Sequence, residues 1–469
     1  MSNKENLEKL KYSTKNVYRE MKPEQMREML DLCDEYMSFL DSGKTERECV
    51  KVAVEMAEKQ GFVPFSEKKT LKTGDKVYFI NRKKNIMLAV IGSDDIEKGM
   101  NIVGAHIDSP RLDLKQNPLY ESNEQALLKT HYYGGIKKYQ WTAIPLAIHG
   151  VCYTKDGAQV EICVGEKDDD PVFTITDLLP HLAREQMQKK LSEAIEGESL
   201  NVLVGGIGIN DEKIDNSVKM NILNILNISY GITEEAFLSA ELEIVPAFKA
   251  KNVGFDMGFV GAYGQDDRVC AFTALKSIFD IENPKRTAIC ILVDKEEIGS
   301  EGNTGMMSKF FDMAVAELIH KLKGSCDMVS YNRVIRNSAC MSSDVSAALD
   351  PNYEGSFEKQ NAAVAGRGIA IMKYTGAGGK SGSSDASSEF MHDILTAMNE
   401  NGVIWQSCEL GKVDKGGGGT IAKYVANLNM NVVDCGVPVL SMHSPFEVTA
   451  KGDIYMAYKA YLAFYESEI

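Results

Sequence analysis

Apolar residues in the first part of the chain recur three and four positions apart. Met26, Met29, Leu30, Cys33, Met37 and Leu40 keep helical spacing, and Thr45 with Glu48 forms a capping-box pair before a second helix that Gly61 can end. The period then shortens. "KVYFINRKKNIMLAVIG", residues 76–92, reads as a hairpin, and "MNIVGAHIDSP", residues 100–110, as a buried strand. From residue 109 to 245 the texture changes to short β-like runs such as "WTAIPLAIHGVCYT" and "AQVEICVG", with a polar helix near "HLAREQMQKKLSEAIEG" and a loop around "GINDEKIDNS". After "ELEIVPAF" helix and strand alternate again: "DDRVCAFTALKSIFD" predicts a helix, "TAICILVD" a strand, and "MMSKFFDMAVAELIHKLKG" a helix. This order predicts an α/β fold whose sheet is interrupted by a mostly β insertion.

Length and charge narrow the picture. At 469 residues the chain exceeds one ordinary hydrophobic core, so two domains, or one domain with an insertion, are expected. Hydrophobic residues make up 44% and charged ones 25%, the composition of a soluble globular protein. A net charge of −15 argues against nucleic acid or an anionic membrane as partner, since both require a cationic footprint. The polar start "MSNKENLEKLKYSTKN" lacks the apolar core of a signal peptide, and no segment reaches the length of a transmembrane span, which points to the cytoplasm. Ten scattered cysteines without a CxxC pair read as reduced core residues rather than disulfides or a thiolate zinc site.

Acidic and histidine residues fall repeatedly where apolar runs end, the places where an α/β sheet exposes functional side chains. "NIVGAHIDSP" delivers His106 and Asp108, "GAYGQDDR" Asp266 and Asp267, "ILVDKEEIG" Glu296 and Glu297, "ACMSSDVSAALDPNY" Asp344, and "VPVLSMHSPFE" His443. One such end is weak, because a lone histidine is usually structural and paired acids usually solvated. Five converging ends could not keep their carboxylates ionised without a compensating cation. Two histidines with several carboxylates and no thiolate suit Zn²⁺, with Mn²⁺ or Co²⁺ as replacements. A pair of ions needs one shared carboxylate and leaves a bridging water. Adjacent glutamates can then divide the work, one holding metal and the other taking the proton from that water. Asp108 lies two residues beyond His106 and on a strand would point to the same side, where it could accept the second imidazole N–H.

"GAHIDSPRLDLK", "GQDDR", "DKEEIGS", "SSDVSAALDPNY" and "SMHSPFE", in that order, resemble the aspartyl aminopeptidase and vacuolar aminopeptidase I family of dizinc exopeptidases, over roughly residues 20 to 465. The resemblance implies a mixed-sheet exopeptidase domain of residues 1–108 and 246–469, flanked by helices, with residues 109–245 as an inserted dimerisation domain. By matching position, it implies that Asp266 bridges two zinc ions, that His106 and Asp344 complete one site, and that Glu297 and His443 complete the other. Glu296 becomes the general base, and the Asp266–Asp267 peptide is expected to be cis. "LLPHLAREQ" resembles a segment that reaches a neighbouring subunit's site, which makes His181 a candidate acting in trans on the substrate carbonyl. The implied partners are short peptides with free N-termini and further copies of the chain, assembled as a dodecamer built from dimers.

The match is incomplete around the substrate side chain. In "IMKYTGAGGKSGSSDAS" Lys373 corresponds to a family lysine but the expected later tyrosine is missing, and "KGGGGTIAKY" keeps only Thr420 and Ile421 of a family loop. Lys373 and Thr420 are therefore the substrate-binding candidates. Three other readings compete. "VLVGGIGIND" invites dinucleotide binding but lacks the third glycine of GxGxxG. A dimetal deacylase or carboxypeptidase-like hydrolase would use the same ligand set, and a scaffold that has lost catalysis would keep the fold.

Overall fold

A computed structural model describes residues 10–469, which three β-sheets organise. The central sheet runs in the order Val63–Pro64, Lys76–Asn81, Asn85–Val90, Thr287–Val293, Met100–His106, Ala339–Ser343, Asn431–Gly436, Ile369–Met372 and Trp405–Ser407. Its middle four strands are parallel, and antiparallel pairings flank them on both sides. The expected α/β architecture is thus a mixed sheet.

Every residue of Thr287–Val293 and Met100–His106 is buried, because helices cover both faces. Alternate side chains feed two cores. Ala288, Cys290 and Leu292 join Val103 and Ala105 beneath the helices Pro23–Ser42, Glu46–Lys59, Gln265–Phe279 and Lys451–Glu466. Ile289, Ile291 and Val293 join Met100 and Ile102 beneath Phe310–Lys323 and Met328–Asn337. The opening helices form as the spacing predicts: Thr45 and Glu48 exchange the two capping-box hydrogen bonds. Leu30 departs from that stripe and stays 40% exposed, whereas Met29 and Cys33 are buried.

A second sheet, wholly antiparallel, comprises Gln159–Val164, Leu146–Tyr153, Glu241–Pro246, Arg111–Ser122, Gln125–Tyr133 and Asn201–Gly205. Its own core includes Leu112, Leu128, Trp141, Val202 and Ile244. The antiparallel placement of Asn201–Gly205 removes the dinucleotide reading of "VLVGGIGIND", which requires a parallel strand, helix and strand. The polar helix expected over 181–197 is not formed. That segment is a run of turns with a 3-10 turn at Gln186–Gln188 and a single helical turn at Leu191–Ala194. Leu182, Met187 and Leu191 stay exposed, and a short helix that buries so little of its apolar face does not recover its nucleation cost. A helix instead forms at Ser217–Tyr230, where Ile222, Leu223 and Leu226 pack on the sheet.

The third sheet contains Lys251–Val253, Phe259–Ala262, Glu447–Ala450, Pro438–Leu440 and Ser346–Ala347. It lies where the parallel strands of the central sheet end, and its connections carry Asp266 and His443 toward the same edge.

Candidate metal centre

Parallel strands place their carboxyl ends together, so three of the expected groups follow directly from the central sheet. His106 ends Met100–His106, Asp344 follows Ala339–Ser343, and Glu296 and Glu297 stand in the 3-10 turn Glu296–Ile298 after Thr287–Val293. Strand Asn431–Gly436 closes on Gly436, where a β-carbon would meet the Asp344 carbonyl oxygen at 1.9 Å, so only glycine lets the two strands come this close. Asp266 and Asp267 open helix Gln265–Phe279 with non-helical backbone angles, and the peptide between them is cis.

Asp266 lies at the middle of the cluster. Its Oδ1 is 3.2 Å from His106 Nε2, and its Oδ2 is 3.2 Å from His443 Nε2. Around this carboxylate three overlapping sets of donors place atoms within 4.8 Å of one another: His106, Asp267 and Asp344; Asp266, Glu297 and His443; and His106, Glu296 and Glu297. Glu296 Oε2 is 3.9 Å from His106 Nε2, and Glu297 Oε1 is 3.5 Å from His443 Nε2. The far nitrogen of each ring faces a carbonyl, His106 Nδ1 at 3.0 Å from Asp108 O and His443 Nδ1 at 2.8 Å from Gly135 O. Donation from Nδ1 fixes the tautomer that leaves Nε2 free as a donor toward a cation.

Three further carboxylates hold the backbone beneath these groups. Asp108 accepts the amides of Glu296 and Glu297, at 3.1 and 3.2 Å. Glu447 accepts the amides of Asp266 and His443, at 3.0 and 2.6 Å. Asp267 accepts the amide of His106 at 3.2 Å. His443 sits at φ +64°, a left-handed conformation costing a residue with a β-carbon on the order of 1 kcal/mol, and the Glu447 bond helps to hold it there. Asp108 lies just beyond the strand, yet its Oδ1 stands 3.3 Å from His106 Nδ1 as expected, beside its own carbonyl at 3.0 Å, and the same carboxylate reaches the neighbouring turn.

The charges do not balance. Asp108, Asp266, Asp267, Glu296, Glu297 and Asp344 gather around two imidazoles, and protonating both rings would compensate only part of that charge. Burial, reinforced by Asp108 and Asp266, pushes Glu296 up to about 7. Burial likewise carries Glu297 and Asp344 well above the usual carboxylate range. Burial favours a neutral His443, yet Asp266 and Glu297 raise it to about 10. Glu297 Oε1 and Asp267 Oδ1 are buried without a hydrogen-bond donor. Carboxylates in excess, lone pairs without donors and imidazole nitrogens facing inward fit divalent metal, and nitrogen and oxygen donors without thiolate fit zinc.

The other candidates lie outside this cluster. His181 is exposed in a turn of the second sheet's connections, beside exposed Leu179 and Leu182. Lys373 is not free: its ammonium pairs with Asp385 at 2.6 Å, and Asp385 also holds Lys380 at 2.9 Å. The Thr420 hydroxyl donates to buried Asp434 at 2.5 Å, and burial pushes that acid up to about 7. Sequence reasoning gave no role to Glu447 or to Gly135, although "SMHSPFE" contains the first.

The family model for the aminopeptidase I zinc metalloproteases, M18, matches residues 39–465. A probable M18 family aminopeptidase 1 from Clostridium acetobutylicum is 51% identical over 454 residues, covering 96% of this chain and 97% of its own length. The crystal structure of an M18 family aminopeptidase from Thermotoga maritima superposes with a TM-score of 0.94 at 47% identity, covering 97% of this chain and all of its own. The yeast mApe1 dodecamer shares the fold, with a TM-score of 0.76 at 21% identity over 93% of this chain and 97% of that one. Near full-length coverage at about half identity places this chain in the M18 aminopeptidase family of zinc metalloproteases.

Proposed function

We propose that the chain removes the N-terminal residue from short unblocked peptides, using two zinc ions held on either side of Asp266. The observation that carries this reading is the placement of the two Asp266 oxygens, each 3.2 Å from a different histidine. His106 and Asp344 would hold one ion, Glu297 and His443 the other. Mn²⁺ or Co²⁺ could take the same places. Bound there, such ions would supply Lewis acidity to the scissile carbonyl and to the attacking water.

Glu296 is the general base in this reading. Its Oε2 takes the proton of the attacking water and returns it to the leaving amine. Asp108 contributes by position, since its two oxygens hold the turn that carries Glu296 and Glu297. Lys373 and Thr420 remain the candidates for contact with the departing residue, on two separate segments held by Asp385 and Asp434 respectively. Homo-oligomeric assembly is supported by exposed Val172, Leu178, Leu182, Met187 and Leu191 on the second sheet's connections and by the dodecameric state of the yeast relative in fold. His181 lies within that apolar segment, so a partner copy docking there could receive it in its active site. Among the described residues no helix is long and apolar enough to cross a membrane. Eight of the ten cysteines are buried as small core side chains, which supports a reducing compartment such as the cytoplasm.

The deciding experiment compares a short peptide with its N-acetylated form on zinc-loaded protein, with and without chelator. The free peptide should be cleaved from its N-terminus and the acetylated one spared, with all turnover lost on chelation. Equal cleavage of both would replace the aminopeptidase assignment with a deacylase or endopeptidase. For His181, mixing inactive His181→Ala with inactive Glu296→Gln should restore part of the activity. No recovery after demonstrated subunit exchange rules out action in trans.

A further inference from the structure

The second sheet reaches the metal-binding groups through three consecutive residues. Strand Gln125–Tyr133 ends on Tyr133, and Gly134 and Gly135 follow. The Tyr133 hydroxyl donates to Asp108 Oδ2 at 2.8 Å, and the same carboxylate accepts the amides of Glu296 and Glu297. Gly134, at φ +72°, passes so close that a β-carbon there would stand 3.3 Å from Glu297 Cβ and Oε2. Gly135 gives its carbonyl to His443 Nδ1.

Tyr133 is fixed from its other side as well. The Arg111 guanidinium lies over its ring, 4.0 Å from the centroid. Arg111 in turn meets Glu46 at 3.3 Å, Asp113 at 2.8 Å and Glu243 at 3.2 Å, which ties the ring to helix Glu46–Lys59 and to the second sheet together. Burial and the neighbouring Asp108 charge hold the Tyr133 phenol well above its ordinary value, so it stays protonated and donates. On Asp108, Oδ1 faces His106 Nδ1 at 3.3 Å and the Glu296 amide, while Oδ2 takes the Glu297 amide and the Tyr133 hydroxyl, so the phenol helps to fix the carboxylate that grips the short turn entered through Lys295 at φ +68°.

We propose that Tyr133 is a positioning residue, acting through Asp108 on Glu296 and Glu297, so that the inserted sheet aligns the reacting groups of its own chain. This rests on the roles given above to Glu296 and Glu297. A displacement near 1 Å at such groups can cost on the order of a hundred-fold in rate, which makes one hydroxyl at this point consequential.

The test is Tyr133→Phe, which keeps the ring and its Arg111 contact and removes only the donor. With zinc content and melting temperature unchanged, kcat should fall about ten-fold, the effect of losing one hydrogen bond to a charged group. KM should stay within about two-fold, as expected when ground-state binding survives. The visible absorption of the Co²⁺-substituted protein should shift, reporting moved ligands. Tyr132→Phe, one residue away with its ring exposed, should change none of these. Unchanged kcat and an unchanged cobalt spectrum in Tyr133→Phe would overturn the proposal, and so would a lowered melting temperature with an unaltered spectrum. Gly134→Ala is the second variant. It should press on Glu297 and reduce Co²⁺ occupancy, and full occupancy with full turnover would also count against the proposal. The underlying assignment fails separately: an active Glu296→Gln protein would remove it, whatever Tyr133→Phe does.

Discussion

His149 and His106 are both buried, and both lie among carboxylates. His149, on strand Leu146–Tyr153, has Nδ1 2.8 Å from Glu48 and Nε2 3.0 Å from Glu166. Lys44 stands 2.6 Å from the same Glu166 oxygen, and Cys163, opposite His149 in register, is 4.0 Å from its ring. Glu48, His149 and Cys163 bring donor atoms as close together as the groups around Asp266 do. Yet a protonated His149 and Lys44 neutralise Glu48 and Glu166, and both ring nitrogens have partners. Around His106 and His443 the carboxylates outnumber the nearby cations, and Glu297 and Asp267 each keep a buried oxygen without a donor. Both regions set a buried histidine beside carboxylates, so that pairing alone does not separate them. Uncompensated charge does, and it marks the region that calls for metal.

The largest effect that can sharpen this contrast is Glu296→Gln. Removing one carboxylate charge beside Asp266 leaves the groups assigned as ligands in place, so zinc content should be retained. Turnover should drop by about a hundred- to ten-thousand-fold, the span that general-base catalysis supplies. Metal analysis on the purified variant separates the two neighbouring glutamates: zinc lost along with activity would exchange the roles of Glu296 and Glu297. The matching change at the other histidine, Glu166→Gln, removes a partner of Lys44 and His149 and should leave turnover alone.

The contrast also explains what could be read in advance. Groups at the ends of parallel strands were legible because apolar runs stop on them: His106, Glu296, Glu297 and Asp344 each follow a buried strand. The elements that hold them were not. Glu447 grips Asp266 across 181 positions of chain, and Gly135 meets His443 across 308. Bonds from a carboxylate to a distant amide, or from a carbonyl to a ring, leave no local pattern of residue types. The same limit hid the His149 group, assembled from a helix start and two strands. Helix Ser217–Tyr230 escaped notice because Asn221, Asn224 and Asn227 break up its apolar run every third residue. The segment 181–197 differs the other way: it reads as a polar helix but forms turns, with Leu182, Met187 and Leu191 left exposed.

The smallest effect concerns the neutral group and is visible only as a dependence on pH. Burial favours a neutral His149, but Cys163, Glu166 and Glu48 hold its pKa up to about 11, above the ordinary 6.5. Glu243 is its register partner on the other side; burial raises that carboxyl well above the usual range, and it faces Arg111 at 3.2 Å. A proton bound more tightly in the folded chain stabilises it fully below about pH 6.5, and that contribution declines as pH rises through about 11. His149→Gln should therefore melt lower than the parent protein near neutral pH. The two melting temperatures should draw together on the alkaline side, while zinc content and neutral-pH turnover stay unchanged. Parallel melting curves across that range would mean that His149 carries no extra proton. The group would then keep an excess of negative charge, and its difference from the Asp266 cluster would have to lie in geometry instead of charge balance.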